Sequence, residues 1–365
     1  MDTTQPTTVW WGVKRWFSSL VEKTFIVHLP QLFRKTVYNV LDESCTAKGA
    51  VLLAAALTHL HPGAGRSPGV VDLPVIRDPH GIFFVPGSSI KGSLKTMLAR
   101  KRNCIKEDDG RIDCSRCRDT CCLLGGEVGE GSEAPSALSI TDLYPLLVPL
   151  PSLDRGFVYA TSPLLVARAK SIVEATGVEG PLKTLVESIS SIAGKAASED
   201  KIVFYGSGDT VTVGVSRFRV ESVDTSTLNL DSEEIVGLLR SLHPLFEAYS
   251  LRDRLIVVND ALFPVLLDRS IVRVTRVRLD RQSKTVGEGL WTEEYIPHAT
   301  VFLGAVFDTG YRGKKYCDGI LEAKSDAIEK LVSLLGGSGR EASFALVVGG
   351  KESIGKGLLK VVLRG

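Results

Sequence analysis

The sequence predicts an α+β fold with a ferredoxin-like (RRM-like) core, helical insertions and one long β-hairpin. Three observations predict it. A strand–helix–strand pattern opens near Ala50, a similar pattern closes the chain, and an alternating segment at 270–297 turns back on itself. A chain of 365 residues has room for two or three domains, or for one small fold carrying large insertions. Its 44% hydrophobic and 24% charged residues are ordinary for a globular protein. The net charge of +2 does not announce a polyanionic partner, so any such contact must come from local basic patches. No apolar run is long enough to span a bilayer. The N-terminus lacks a basic region followed by an apolar core and a cleavage site, which makes a cytoplasmic protein the expectation. Only two methionines occur, a composition that suits life at high temperature.

Residues 1–48 read as an appendage. Val9, Trp10, Val13, Trp16, Phe17, Leu20 and Val21 recur at helical spacing, as in a helix packed on its own protein, docked on a partner or lying on a membrane surface. A misassigned start is a further reading. The regular fold begins with Val51 to Leu57, an apolar run suited to a buried strand. A glycine- and proline-rich loop, 62–86, leads to a helix that Ser88 or Ser89 would cap, with Ile90, Leu94, Met97 and Leu98 on one face. A cysteine-rich insertion, 103–135, precedes a strand over Ala137 to Leu147. At the far end Thr300 to Phe307 reads as a strand, Glu322 to Leu335 as an amphipathic helix, and Ser343 to Val348 as a strand. These pieces, about 50–150 and 299–365, make the palm of one domain spanning 49–365. Between them, 155–250 predicts two or three helices, one opened by Asp231-Ser232-Glu233-Glu234. The hairpin follows, with Arg273, Arg276, Arg278, Arg281 and Lys284 crowding its first limb and turn. Such a limb is either a charged edge strand that avoids aggregation or a basic finger laid on a polyanion.

Four constellations carry candidate chemistry. Pro86-Gly87-Ser88-Ser89-Ile90-Lys91-Gly92 places free backbone amides beside a lysine at a helix start, and Lys95, Arg100, Lys101 and Arg102 continue the basic character. That arrangement suits a phosphate, although a plain capped helix would read similarly. Gly349-Gly350-Lys351-Glu352-Ser353-Ile354-Gly355-Lys356-Gly357 nearly matches a P-loop. However, Gly357 stands where the magnesium-binding hydroxyl belongs, and Leu358 to Leu363 reads as a strand rather than a helix. A glycine loop between strands instead brings amides and lysines against a sugar-phosphate chain. In His61-Pro-Gly-Ala-Gly and Asp72-Leu-Pro, Asp72 is a candidate for holding a metal or orienting a hydroxyl. Taken alone, Asp72 suits a turn and His61 a satisfied strand end. Finally, Cys114-x-x-Cys117 with Cys121 and Cys122 forms a candidate structural zinc site, with free thiols or a disulfide as the alternatives.

These motifs, with Ala137-Leu-Ser-Ile-Thr-Asp, Leu146-Leu-Val-Pro-Leu, Phe157-Val-Tyr-Ala-Thr-Ser-Pro-Leu and Gly289-Leu-Trp-Thr-Glu-Glu-Tyr-Ile-Pro, resemble the RAMP superfamily of CRISPR proteins. Within it they are similar to the backbone subunits of type III-B effectors. The resemblance runs from about Ala50 to the C-terminus and leaves 1–48 and the cysteine cluster uncovered. It implies subunits that stack as a filament along a guide CRISPR RNA, beside other effector subunits. The hairpin at 270–297 would be a thumb pressed into the guide–target duplex. It also implies an endoribonuclease that cuts single-stranded target RNA at regular intervals. Asp72 matches the family's catalytic aspartate, with a divalent ion, Mg or Mn, as its expected cofactor. Glu293 and Tyr295 fall near the cut, and His61 is a candidate proton donor. Ser88, Ser89, Lys91, Lys95, Arg273, Arg276, Gly350, Lys351 and Lys356 are the expected RNA contacts. Base pairing would supply the sequence recognition, leaving the protein to read backbone and shape.

Two competing functions stay open. A non-catalytic guide-binding subunit would share the glycine loops but give Asp72 no role in cutting. A stand-alone guide-processing endoribonuclease would not need the basic hairpin or the inserted helices. A metabolic enzyme on this fold would need a pocket motif, which the sequence lacks.

Overall fold

The computed structural model describes residues 48–365 except 68, 128–133, 200–201, 281 and 323–325. The expected appendage, apart from Lys48, and Arg281 therefore lie outside the described residues. Along the chain the elements are β1 (Gly49–Ala56), α1 (Gly87–Lys101), α2 (Arg118–Leu124), β2 (Leu138–Ile140), β3 (Tyr144–Ser152), β4 (Gly156–Thr161), α3 (Pro163–Thr176) and α4 (Pro181–Glu199). Then come β5 (Ile202–Tyr205), β6 (Thr210–Val213), β7 (Ser216–Ser222), α5 (Glu233–Leu242), α6 (Leu245–Ala248), β8 (Leu255–Val257) and α7 (Phe263–Ser270). The last are β9 (Val272–Leu279), β10 (Val286–Tyr295), β11 (Val301–Asp308), α8 (Lys314–Cys317), α9 (Ala327–Leu335), β12 (Glu341–Val347) and β13 (Leu358–Arg364).

One mixed sheet runs in the order β12-β13-β1-β11-β3-β4-β8-β5-β7-β6, with β2 also paired to β11. Its β12–β3 half is antiparallel, whereas β4–β8 and β5–β7 are parallel. Strand β1 shows why the sheet is a central layer. All of its residues are buried. Leu52, Ala54 and Ala56 pack into a core shared with Ile90, Leu94 and Leu98 of α1 and Leu331 of α9. Val51, Leu53 and Ala55 point the other way, into a core with Val166 and Val173 of α3 and Leu185 and Ile189 of α4. A strand apolar at every position has no wet face to offer. With both faces of β1 covered, a nucleic acid would have to be met by loops and the hairpin rather than by this part of the sheet.

Three details differ from the sequence reading. First, 155–250 is not purely helical, since β4 to β7 extend the sheet through it. Ile202–Tyr205 is too short an apolar run for its period to distinguish strand from helix. Second, the expected strand over Ala137 to Leu147 is broken into β2 and β3. At the break, the Leu143 amide pairs with Val85, and the Thr141 hydroxyl accepts from the Ala305 amide. Third, neither Ser88 nor Ser89 caps α1, which begins at Gly87 after Pro86 with no side-chain cap from Pro86. Instead the Gly87 N–H donates to Asp142 at 2.8 Å. A Cβ on Gly87 would lie 2.4 Å from the Ile140 carbonyl oxygen, so only glycine fits this close crossing.

Of the readings left open for the cysteine cluster, the structure carries the disulfide one. Cys114, Cys117, Cys121 and Cys122 are half-cystines, joined as Cys104–Cys117, Cys114–Cys121 and Cys122–Cys317. A disulfide sulfur is not the thiolate that zinc requires, so these residues do not fit that metal. The cluster staples α2 to α8 across 195 residues of sequence.

Candidate functional site

The loop between β1 and α1 folds back on the base of the hairpin. The Leu73 N–H donates to the Thr292 carbonyl at 3.0 Å, and the Glu294 N–H to the Leu73 carbonyl at 3.0 Å. The Asp72 carboxylate accepts from the Thr292 N–H at 2.8 Å. Two segments 220 residues apart thus become one backbone-locked unit. The glycine-rich loop between β12 and β13 closes it from a third side. Gly350 N–H donates to the His61 carbonyl and Gly357 N–H to the His59 carbonyl, each at 2.9 Å. At Gly349, φ is +78° and a Cβ would sit 2.6 Å from the His61 oxygen, which explains the glycine. Together these segments wall a cleft of about 530 Å³ lined by Arg66, Ser67, Asp72, Leu73, Gly289, Leu290, Trp291 and Lys351.

The carboxylates nominated from sequence are in opposite states. Asp72 is exposed, with one oxygen held by the Thr292 amide. Glu293 is 1% exposed. It accepts from Lys351 Nζ at 2.6 Å, from Trp291 Nε1 at 2.7 Å and from the Tyr295 hydroxyl, and Arg276 Nε stands at 3.4 Å. Burial pushes the Glu293 carboxyl up, but Lys351, Tyr295 and Trp291 outweigh it and hold the pKa at about 2. Glu293 is therefore a fixed anion rather than a proton acceptor. Burial and then Glu293 raise the Tyr295 phenol above its ordinary value.

His61 does not line the cleft. It is buried, its Nδ1–H donates to the Glu294 carbonyl at 2.8 Å, and its ring tilts against Tyr295. Its ring lies under the glycine loop, 3.4 Å from where a Cβ on Gly350 would sit.

The expected RNA contacts divide the same way. Lys95 donates to the Gly126 carbonyl and to Glu127, at 3.0 and 2.8 Å. Arg273 pairs with Asp268 at 2.6 Å and Glu294 at 3.1 Å. Arg276 and Lys351 are bound to Glu293. Among the described residues, Lys91 and Lys356 have no ion pair with a carboxylate. Burial and then Lys95 lower the Lys91 pKa, and Lys356 lies 5.1 Å above the Tyr295 ring. Ser88 is exposed on the first turn of α1 with Ser89 half-buried beside it, and Gly350 is exposed in its loop. Sequence reasoning missed Trp291 and Arg66 as cleft residues. Trp291 stood inside the Gly289-Leu-Trp-Thr-Glu-Glu motif, but nothing in the pattern said which face it would take.

The profile of the RAMP superfamily matches residues 54–360. The chain belongs to the RAMP superfamily. Among curated relatives of this RAMP protein is the CRISPR system Cmr endoribonuclease Cmr4 of Pyrococcus furiosus. It is 28% identical over 310 residues, covering 84% of this chain and 93% of that one. The CRISPR system CMR subunit Cmr4 of Saccharolobus solfataricus is 27% identical over 328 residues, with the same coverage of 84% and 93%. In fold, the RAMP chain is similar to a solved structure of the type III-B Cmr-beta complex bound to cognate target RNA. That match has a TM-score of 0.61 at 21% identity and covers 86% of this chain and 96% of that one. Crystalline oligomeric Cmr4 from Pyrococcus furiosus matches with a TM-score of 0.55 at 21% identity, covering 87% and 98%.

Proposed function

We propose that this RAMP protein is the backbone subunit of a type III-B CRISPR effector, which stacks along guide RNA and cleaves the paired target RNA. The observation that carries the reading is Asp72, an exposed carboxylate fixed by the Thr292 amide at the rim of a cleft. A catalytic group needs this combination of access and fixed position. An endoribonuclease relative spanning most of the chain supports the same conclusion. Strands β13, β1, β11 and β3, with α1 and α9, are read as the ferredoxin-like palm, and β9–β10 as the thumb.

RNA brings its own nucleophile. The 2′-oxygen attacks the adjacent phosphorus as its proton leaves, the bond from phosphorus to the 5′-oxygen breaks, and that oxygen takes up a proton. The products are a 2′,3′-cyclic phosphate and a 5′-hydroxyl. In-line attack is far from the geometry of a regular duplex, so the target nucleotide must be bent out. At the hairpin tip Val277 pairs with Leu290 and Leu279 with Val286, and the four side chains are 40–68% exposed. Exposed apolar side chains of this kind act as wedges that unstack bases. Asp72 then holds the 2′-hydroxyl or its proton.

Magnesium and manganese take most of their ligands from water and phosphate, so a single exposed carboxylate suits them. Asp72 would hold the ion, which when bound supplies charge neutralisation and a more acidic hydroxyl. A cytoplasmic location with three disulfides fits a hyperthermophile.

The test is to assemble the effector with a guide and a long complementary RNA. Regularly spaced cuts that vanish in Asp72→Ala support the reading. Guide binding with no cuts in the wild type would leave a purely structural subunit.

A further inference from the structure

We propose that Lys351 is a catalytic residue for target cleavage: its ammonium binds the non-bridging oxygens of the scissile phosphate, and Glu293 is the positioning residue that aims it. The proposal rests on the cleavage reading above and adds a group to it. Three observations place Lys351 there.

The first is location. Lys351 lines the cleft together with Asp72, although it belongs to the loop expected to grip the guide backbone. The second is restraint. Its Nζ lies 2.6 Å from a Glu293 oxygen, and that carboxylate is itself fixed by Trp291 and Tyr295 and faced by Arg276. An ammonium has three donors, and among the described residues Glu293 is the one acceptor bound to this one. The remaining N–H groups are therefore free for a ligand in the cleft. The third is backbone cost. Lys351 has φ +69°, a left-handed conformation that a side chain disfavours. It shares that conformation with Gly349, Gly355 and Gly357 of the same loop, yet this position carries a lysine. Strain kept at a cleft position points to a task for the side chain.

The chemistry follows from the reaction. As the 2′-oxygen bonds to phosphorus, negative charge builds on the non-bridging oxygens before the bond to the 5′-oxygen breaks. A cation fixed in advance stabilises that charge without reorganising, which is the main source of electrostatic catalysis. A carboxylate locked on the far side keeps the ammonium from swinging into solvent. Trp291 Nε1 shares the same Glu293 oxygen, so the indole and the ammonium are placed by one anion.

The experiment compares single-turnover cleavage and target affinity in effectors assembled with wild-type chain, Lys351→Ala and Asp72→Ala. Removing one preorganised donor of this type lowers the rate by about 10²–10³-fold. Target affinity should change less than about tenfold, because phosphate contacts are many. Methylammonium should restore part of the lost rate in Lys351→Ala, falling off with larger amines, and should do nothing for Asp72→Ala. A residue that merely braces the fold would show no such rescue. If the single variant melts early from an unpaired Glu293, the double variant Lys351→Ala with Glu293→Gln is measured in its place. The proposal is overturned if cleavage stays within about tenfold of wild type, or if methylammonium restores nothing, while Asp72→Ala is inactive. Full-rate cutting by Asp72→Ala would instead remove the cleavage assignment on which the proposal stands.

Discussion

At the base of the β9–β10 hairpin, charge is spent on holding the structure together; further out, apolar side chains stand exposed on both strands. Arg273 is tied to Asp268 and Glu294, Arg276 to Glu293, and the two glutamates are buried. Further out, Val277, Leu279, Val286 and Leu290 are exposed on paired positions of the two strands. Of the residues that read as a basic finger, Arg273 and Arg276 are thus fasteners, while Arg278 and Lys284 are exposed beside the apolar residues of the outer hairpin. The distinction matters because the base also carries Thr292, whose amide fixes Asp72. On the function proposed above, a rigid base and an apolar tip would let one hairpin locate the reacting carboxylate and disturb the duplex next to it.

The largest effect is expected at the base. Asp72→Ala should lower target cleavage by about 10³-fold, in the range for loss of a positioned acid or base, with guide and target binding nearly intact. Product gels together with a filter-binding assay read both quantities. Loss of assembly in this variant would place Asp72 in the architecture instead.

Next comes the buried anion. The Glu293 pKa is depressed from an ordinary 4.5 to about 2, so its stabilisation is complete above pH 4.5 and is lost as pH falls to about 2. The linked free energy is on the order of 3 kcal/mol. Melting temperatures measured from neutral pH down to about pH 2 should fall more steeply for wild type than for Glu293→Gln, with the curves converging at the acid end. Parallel curves would mean that the carboxylate does not feel its donors in solution.

The tip gives a smaller and different signature. Replacing both Val277 and Leu290 with Ser should leave the melting temperature nearly unchanged, since exposed positions rarely contribute more than about 0.5 kcal/mol. Cleavage should slow by about tenfold as attack geometry is populated less often. Unaltered cutting would show that the wedge lies elsewhere.

How much of this was legible can be judged residue by residue. Both strand–helix–strand patterns and the hairpin were readable because period and turn residues are local signals. The cover on the second sheet face was not, although the unbroken apolar run of β1 carried the hint. Asp72 was nominated through its motif. Its fastening to Thr292 was not, because no local pattern reveals a partner 220 residues away. Cys317 likewise stands alone in sequence, and without it the five clustered cysteines stayed open between a zinc site, free thiols and a disulfide. Charge misled most. An arginine or lysine looks the same in sequence whether it meets a phosphate or a buried glutamate.

That ambiguity yields the mildest and most discriminating prediction. Lys91 and Lys95 sit one turn apart on α1, yet Lys95 is bound to Glu127 and the Gly126 carbonyl, while among the described residues Lys91 has no carboxylate partner. Lys356 resembles Lys91, resting over the Tyr295 ring rather than on an acid. A lysine on a single-strand phosphate displaces a counterion, so removing one such lysine should reduce the salt slope of guide binding by about 0.7. Lys91→Ala and Lys356→Ala should each show that decrement with any guide sequence. Lys95→Ala should leave the slope unchanged and lower the melting temperature slightly, as expected for a partly buried ion pair. Guide affinity measured across a range of salt separates the two classes. An equal change in slope for Lys95 would mean that its pairing with Glu127 gives way to RNA, and that internal ion pairs cannot be used to sort this protein's lysines.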